Sequence, residues 1–124
     1  MMTEVTIVEF LLARIEEDEA LARSASPGPW HVDAESTEVL AVDGIVVADG
    51  FALSGKQTRA TTAHIARHDP AHVLTECEAK RQVISIVASW RQYRQRQVLQ
   101  PLASVYADHP DYRDEWRPSV DLRT

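Results

Sequence analysis

Residues 69–96 read DPAHVLTECEAKRQVISIVASWRQYRQR, and this stretch decides the fold. Asp69 is a helix N-cap, because its carboxylate can accept orphan backbone N–H groups of the first turn. Pro70 follows at the first helical position, where a missing N–H costs nothing. Asp69 is itself biased away from helical geometry by the proline, so any preceding helix stops near His68. Neither Gly nor Pro recurs before Pro101. The spacing predicts one long helix to about Arg96, roughly 40 Å at ~1.5 Å per residue. Val73, Leu74, Cys77, Ile84 and Ala88 form an apolar stripe, with Arg81 among them. Glu76 and Lys80 are placed as a flanking i,i+4 pair. Val83, Ile86, Val87 and Trp90 add a second apolar face, and a helix apolar on two sides needs two partners. The C-terminal tail is one candidate cover. A protein partner or a second copy, in a homodimer, is the other.

Working outward toward the N-terminus, Thr6 and Glu9 form a capping box, with Val5 and Phe10 placed as its hydrophobic staple. A helix is predicted from Ile7 to about Arg23, with Ile7, Val8, Phe10, Leu11, Ile15, Leu21 and Ala22 on one face. Arg14 and Asp18 fall inside that arc, four residues apart, and read as a partly buried structural ion pair. Pro27-Gly28-Pro29 ends the helix, and Trp30 beside it reads as a core plug. Strand-like alternation follows at Trp30–Asp33, Glu38–Val42 and Ile45–Ala48. Asp43-Gly44 between the last two predicts a hairpin with a type I′ turn. Residues 49–61 carry no clear period and read as a loop, with an optional edge strand near 51–53. A short helical turn over Thr61–Arg67 then leads to the Asp69-Pro70 corner.

The expected fold class is α+β: an N-terminal helix, a small three-stranded antiparallel sheet, a short helix, and one long C-terminal helix with a folded tail. A chain of 124 residues suits a single domain spanning 1–124, with about 101–124 folded back as the tail. The net charge of −6 runs against a general affinity for nucleic acid. That charge is uneven, −9 over residues 1–50 and +3 over 51–124. One cysteine, Cys77, excludes an internal disulfide and fits a reducing, cytoplasmic compartment. No apolar run approaches the ~20 residues of a membrane helix, so no membrane partner is expected.

Signals for chemistry are sparse. His64, His68 and His72 are spaced by four and would share a face on an unbroken helix, which suits a metal. The Asp69-Pro70 corner interrupts that helix, so the trio is a weak metal candidate and no cofactor is expected. Cys77 lies on the apolar stripe and reads as a small buried hydrophobe. Ser54-Gly55-Lys56 lacks the spacing of a phosphate loop. Arg91, Arg94 and Arg96, interleaved with Trp90 and Tyr93, have the basic and aromatic chemistry of a nucleic-acid contact. They also read as cations complementing the C-terminus of a long helix.

Three segments carry a resemblance: EFLLARIEEDEALARSASPGPW at 9–30, TAHIARHDPAHVLTECEAKR at 62–81 and YADHPDYRDEW at 106–116. Together they resemble a family of small actinobacterial and actinophage proteins known only as a domain of unknown function. His72 stands where that family carries Arg, and residues 84–99 match none of its pattern. The resemblance implies an accessory role in host or phage and transfers no catalytic residue. The expected function is therefore a non-enzymatic protein-binding or oligomerising module. The alternatives are a metal-binding protein or metal-dependent enzyme using His64 and His68, and a nucleic-acid-binding regulator using the three arginines.

Overall fold

A computed structural model describes residues 4–50 and 53–118. Two compact units divide the chain, one made of 1–17 and 78–124, the other of 18–77. The elements run α1 (Ile7–Ser24), β1 (His31–Val32), β2 (Glu38–Leu40), β3 (Val46–Asp49), α2 (Gly55–Arg67), α3 (Pro70–Val87) and α4 (Gln92–Ser104), with a 3₁₀ turn at Asp114–Trp116. This is the expected α+β class, with one more helix than the sequence suggests. The optional strand near 51–53 lies partly outside the described residues.

In the unit formed by 18–77, the three strands pair antiparallel in the order β1-β2-β3. His31 lies opposite Leu40 and Val32 opposite Val39, while Val39 lies opposite Ala48 and Leu40 opposite Val46. Val47 is thus an extra residue in β3. The Asp43-Gly44 hairpin forms, but not with a type I′ turn. Gly44 N–H donates to Ala41 O and Ala41 N–H to Ile45 O, which makes a three-residue loop. Gly44 has φ +83°, whereas Asp43 is not among the residues of positive φ. A type I turn closed by a left-handed glycine serves here, the usual three-residue solution. At the other turn, Asp33 accepts from the N–H groups of Glu38 (3.1 Å) and Thr37 (2.8 Å). These bonds hold its carboxyl below the ordinary range. The stabilisation they give is present above the unfolded pKa and is lost as pH falls through the folded one.

Residues 55–60 belong to helix α2, where the sequence suggested a loop. Ser54 and Gln57 make a capping box: Gln57 N–H donates to Ser54 Oγ and Ser54 N–H to Gln57 Oε1, each at 3.2 Å. Apolar residues are few here, so no hydrophobic period marked the helix. Its buried face is instead threonine, Thr58 and Thr62. The Thr62 hydroxyl donates to Thr58 O at 2.7 Å and reaches Ser36 O at 3.1 Å, so its polarity is satisfied inside the fold. Ser54→Ala is expected to lower stability by about 1 kcal/mol. The check is a lower urea midpoint at unchanged slope.

The corner before α3 holds the unit together. Asp69 is buried, and its carboxylate accepts from His72 N–H and from Trp30 N–H, both at 2.8 Å. One side chain therefore caps α3 and anchors the Pro-Gly-Pro-Trp corner. A Cβ on Gly28 would stand 3.0 Å from Asp69 Oδ2 and 3.1 Å from Ala71 Cβ, so glycine is what lets the corner approach the helix start. Trp30 is half-buried and donates its indole N–H to Ser26 O at 2.9 Å.

In the unit formed by 1–17 and 78–124, α1 starts as expected. Thr6 N–H donates to Glu9 Oε1 and Glu9 N–H to Thr6 Oγ1, each at 3.1 Å. Ile7, Phe10, Leu11, Ile15, Ile84, Val87, Leu99, Ala103 and Trp116 are buried. Phe10 meets the rings of Tyr106, His109, Tyr112 and Trp116, with centroids 5.1 to 6.3 Å away. Residues 106–116, the described aromatic part of the tail, thus pack on α1.

The long helix to Arg96 is not formed. α3 ends at Val87, a turn follows, and α4 begins at Gln92 with Arg91 extended at its N-cap (φ −60°, ψ 146°). Trp90 N–H donates to Val87 O at 3.0 Å, tightening the last turn. The Gln95 side chain then donates to Val87 O (3.1 Å) and lies 3.3 Å from Ala88 O. A side chain from the next helix thus caps carbonyls that a continuing helix would have used. Pro101 sits inside α4 rather than ending it. The carbonyl it leaves without a helical donor belongs to Gln97, which is exposed.

Candidate functional site

The break at 88–91 makes a site that an unbroken helix would lack. Within the unit of 1–17 and 78–124, a cleft of about 350 Å³ is lined by residues 4–7, by Trp90, Gln92, Gln95 and Arg96 around the start of α4, and by Arg113, Glu115 and Trp116. Trp116 is buried, whereas Trp90 is 44% exposed. Arg113 is committed: it pairs with Glu4 at 3.0 Å and with Glu115. The Glu4 hydrogen bond raises its pKa above the ordinary arginine value. Arg96 is different, because no carboxylate among the described residues pairs with it. Its Nε is buried without an acceptor there.

The basic trio thus lies at the start of α4, not at the C-terminus of a long helix, and the macrodipole disfavours cations there. No acidic residue occupies the first turn of α4, and Arg91 makes no side-chain cap. Arg91 and Arg94 are exposed, while Arg96 is half-buried in the cleft. A sequence signal accompanies this. Between Glu78 and Asp108 there is no carboxylate at all, against Lys80, Arg81, Arg91, Arg94 and Arg96. That run escapes a comparison of chain halves, because the tail's acids mask it.

Of the four residues expected on a contact face, Ile86 (64%) and Trp90 are exposed and Val83 is half-buried. Val87 is in the core, because it lies three residues from Ile84 and shares the Cys77–Ile84 stripe. Tyr93, 74% exposed, extends the aromatic surface. Leu21, expected inside, is also exposed at 74%.

Arg14 is buried, as its place in the apolar arc required. Its guanidinium bonds Glu17 Oε1 and His109 Nδ1, both at 2.8 Å, lies 3.9 Å from Asp111, and sits over the Phe10 ring. The expected partner was Asp18. The i+3 residue and the Asp108–Tyr112 segment fill that role, and no local spacing rule reaches across 95 residues. On the other helix flank, Glu76 bonds His72 Nε2 at 2.8 Å instead of Lys80, which reaches Tyr106.

The histidines stay together across the Asp69-Pro70 corner. The rings of His64 and His68 are 4.4 Å apart, and those of His68 and His72 are 5.6 Å apart. His68 Nδ1 donates to His64 O at 2.8 Å, and His72 is taken by Glu76. Among the described residues, no three His, Cys, Asp or Glu side chains converge as a metal site would require. Cys77 is buried.

No described helix is long and apolar enough to cross a membrane. Residues 4–118 match the model of a family described as a family of unknown function (DUF6221). No curated protein and no solved structure matches the chain.

Proposed function

The chain belongs to the DUF6221 family of unknown function, so its role has to be read from its own surface, and we propose that it is a non-enzymatic binding module. The contact surface is the elbow between α3 and α4, with Ile86, Trp90 and Tyr93 as apolar elements. The observation that carries this reading is the helix break. It presents a half-exposed indole at a cleft beside the Arg96 guanidinium, which pairs with no carboxylate among the described residues. Tryptophan, tyrosine and arginine are the residues that dominate binding energy at protein interfaces. The single buried cysteine fits a cytoplasmic setting. The segments quoted above fit an accessory role in actinobacteria or their phages.

The test is photo-crosslinking from position 93, with benzoylphenylalanine in place of Tyr93, in a nuclease-treated lysate of an actinobacterial host. The same probe at Lys56, exposed on α2, is the control. A discrete protein adduct from position 93 and none from position 56 is expected. A self-adduct would make the module an oligomer. Identical patterns from both positions, or none from either, would sink the reading.

A further inference from the structure

We infer that the cleft at the start of α4 seats an acidic segment of a partner polypeptide, with a carboxylate on Arg96 and an apolar neighbour against Trp90. This rests on the binding-module reading and names the partner's chemistry. Charge complementarity points to it. The stretch between Glu78 and Asp108 is basic and carries no carboxylate. Two carboxylates line the cleft, Glu4 and Glu115, and both bond Arg113; the two guanidiniums of the lining balance them, and Arg91 and Arg94 at the start of α4 supply the surplus positive charge. Arg96 is the cation there left without a carboxylate among the described residues. Its buried Nε lacks an acceptor, which turning toward an incoming carboxylate would supply. Guanidinium–carboxylate pairs are charge-assisted and directional, so this contact selects glutamate or aspartate over an amide. The uncapped first turn of α4, beside Gln92, adds donors of the same sign. An indole at the rim suits a leucine or aromatic next to the acid. Nucleic acid would use the same arginines, but the −6 protein as a whole repels a phosphate polymer far more than a short acidic segment.

The experiment is fluorescence anisotropy on the intact protein with a fluorescein-labelled peptide of alternating glutamate and leucine. Comparison probes are the glutamine–leucine peptide and labelled oligothymidine. Saturable, salt-weakened binding of the glutamate peptide is expected. Arg96→Gln should weaken it about tenfold, as should Trp90→Ala. Lys56→Gln, an equal charge change on α2, should leave it unaltered. Circular dichroism of each variant checks that it folds. The inference is overturned by glutamine-peptide binding of equal strength, by indifference to Arg96→Gln or Trp90→Ala, or by tighter binding of oligothymidine. It is also overturned by a dimer, seen in sedimentation, that Trp90→Ala dissociates, since a second copy would then own the cleft. A specific protein adduct from position 93 alongside any of these would leave the binding-module reading standing.

Discussion

Replacing Phe10 with alanine is expected to lower the unfolding free energy by about 4 kcal/mol, the largest single effect in this chain. Phe10 is 1% exposed and touches four rings of the C-terminal segment, Tyr106, His109, Tyr112 and Trp116. Those rings approach edge-on or tilted, the arrangement that adds about 0.5–1.5 kcal/mol per pair beyond burial. The Arg14 guanidinium also lies over the Phe10 face, 5.1 Å from its centre. Alanine removes the ring that all of these share and leaves a cavity the tail cannot fill without moving. Phe10→Leu keeps most of the volume but no aromatic edge, and about half the loss is expected. Urea denaturation measures both. Near-UV circular dichroism should fall in Phe10→Ala even before unfolding, as the Trp116 environment loosens. A loss below about 1 kcal/mol for Phe10→Ala would mean that the tail is not held by this ring.

Asp69→Ala should cost about 3 kcal/mol. Two losses combine: the N-cap of α3, about 1 kcal/mol, and the acceptor of the Trp30 N–H, about 1–3 kcal/mol if that donor stays buried. Asp69→Asn separates them. Its one amide oxygen can serve His72 N–H or Trp30 N–H but not both, and about half the loss is expected. Denaturant midpoints give the sizes. Hydrogen exchange assigns them, because Trp30 and His72 amides should both lose protection in Asp69→Ala and only one in Asp69→Asn. Equal stability of all three proteins would show that the corner is held by packing alone.

The capping boxes differ instructively. Thr6-Glu9 was legible because an apolar face follows it. Ser54-Gln57 has the same chemistry, but α2 buries threonines, so its start was hidden by the lack of a hydrophobic period. The Asp69-Pro70 corner was readable as a cap, and its second bond, to Trp30, was not. Of the candidate site, Trp90 and Arg96 stood out by residue type. The cleft itself did not, since Glu4, Gln95 and Arg113 come from distant parts of the chain.

By itself the sequence determined what local chemistry controls: the α+β class, the start of α1, the Asp43-Gly44 hairpin and the start of α3. Caps, prolines and turn residues act within a few positions, so their effect is written locally. Only the tertiary structure decided that α3 stops at Val87. No breaker residue marks that point, and the decisive contact is the Gln95 side chain on the Val87 carbonyl. The partners of Arg14 were decided the same way, by a histidine 95 residues away. Both depend on where the folded chain returns, which no periodicity or spacing within a segment can carry.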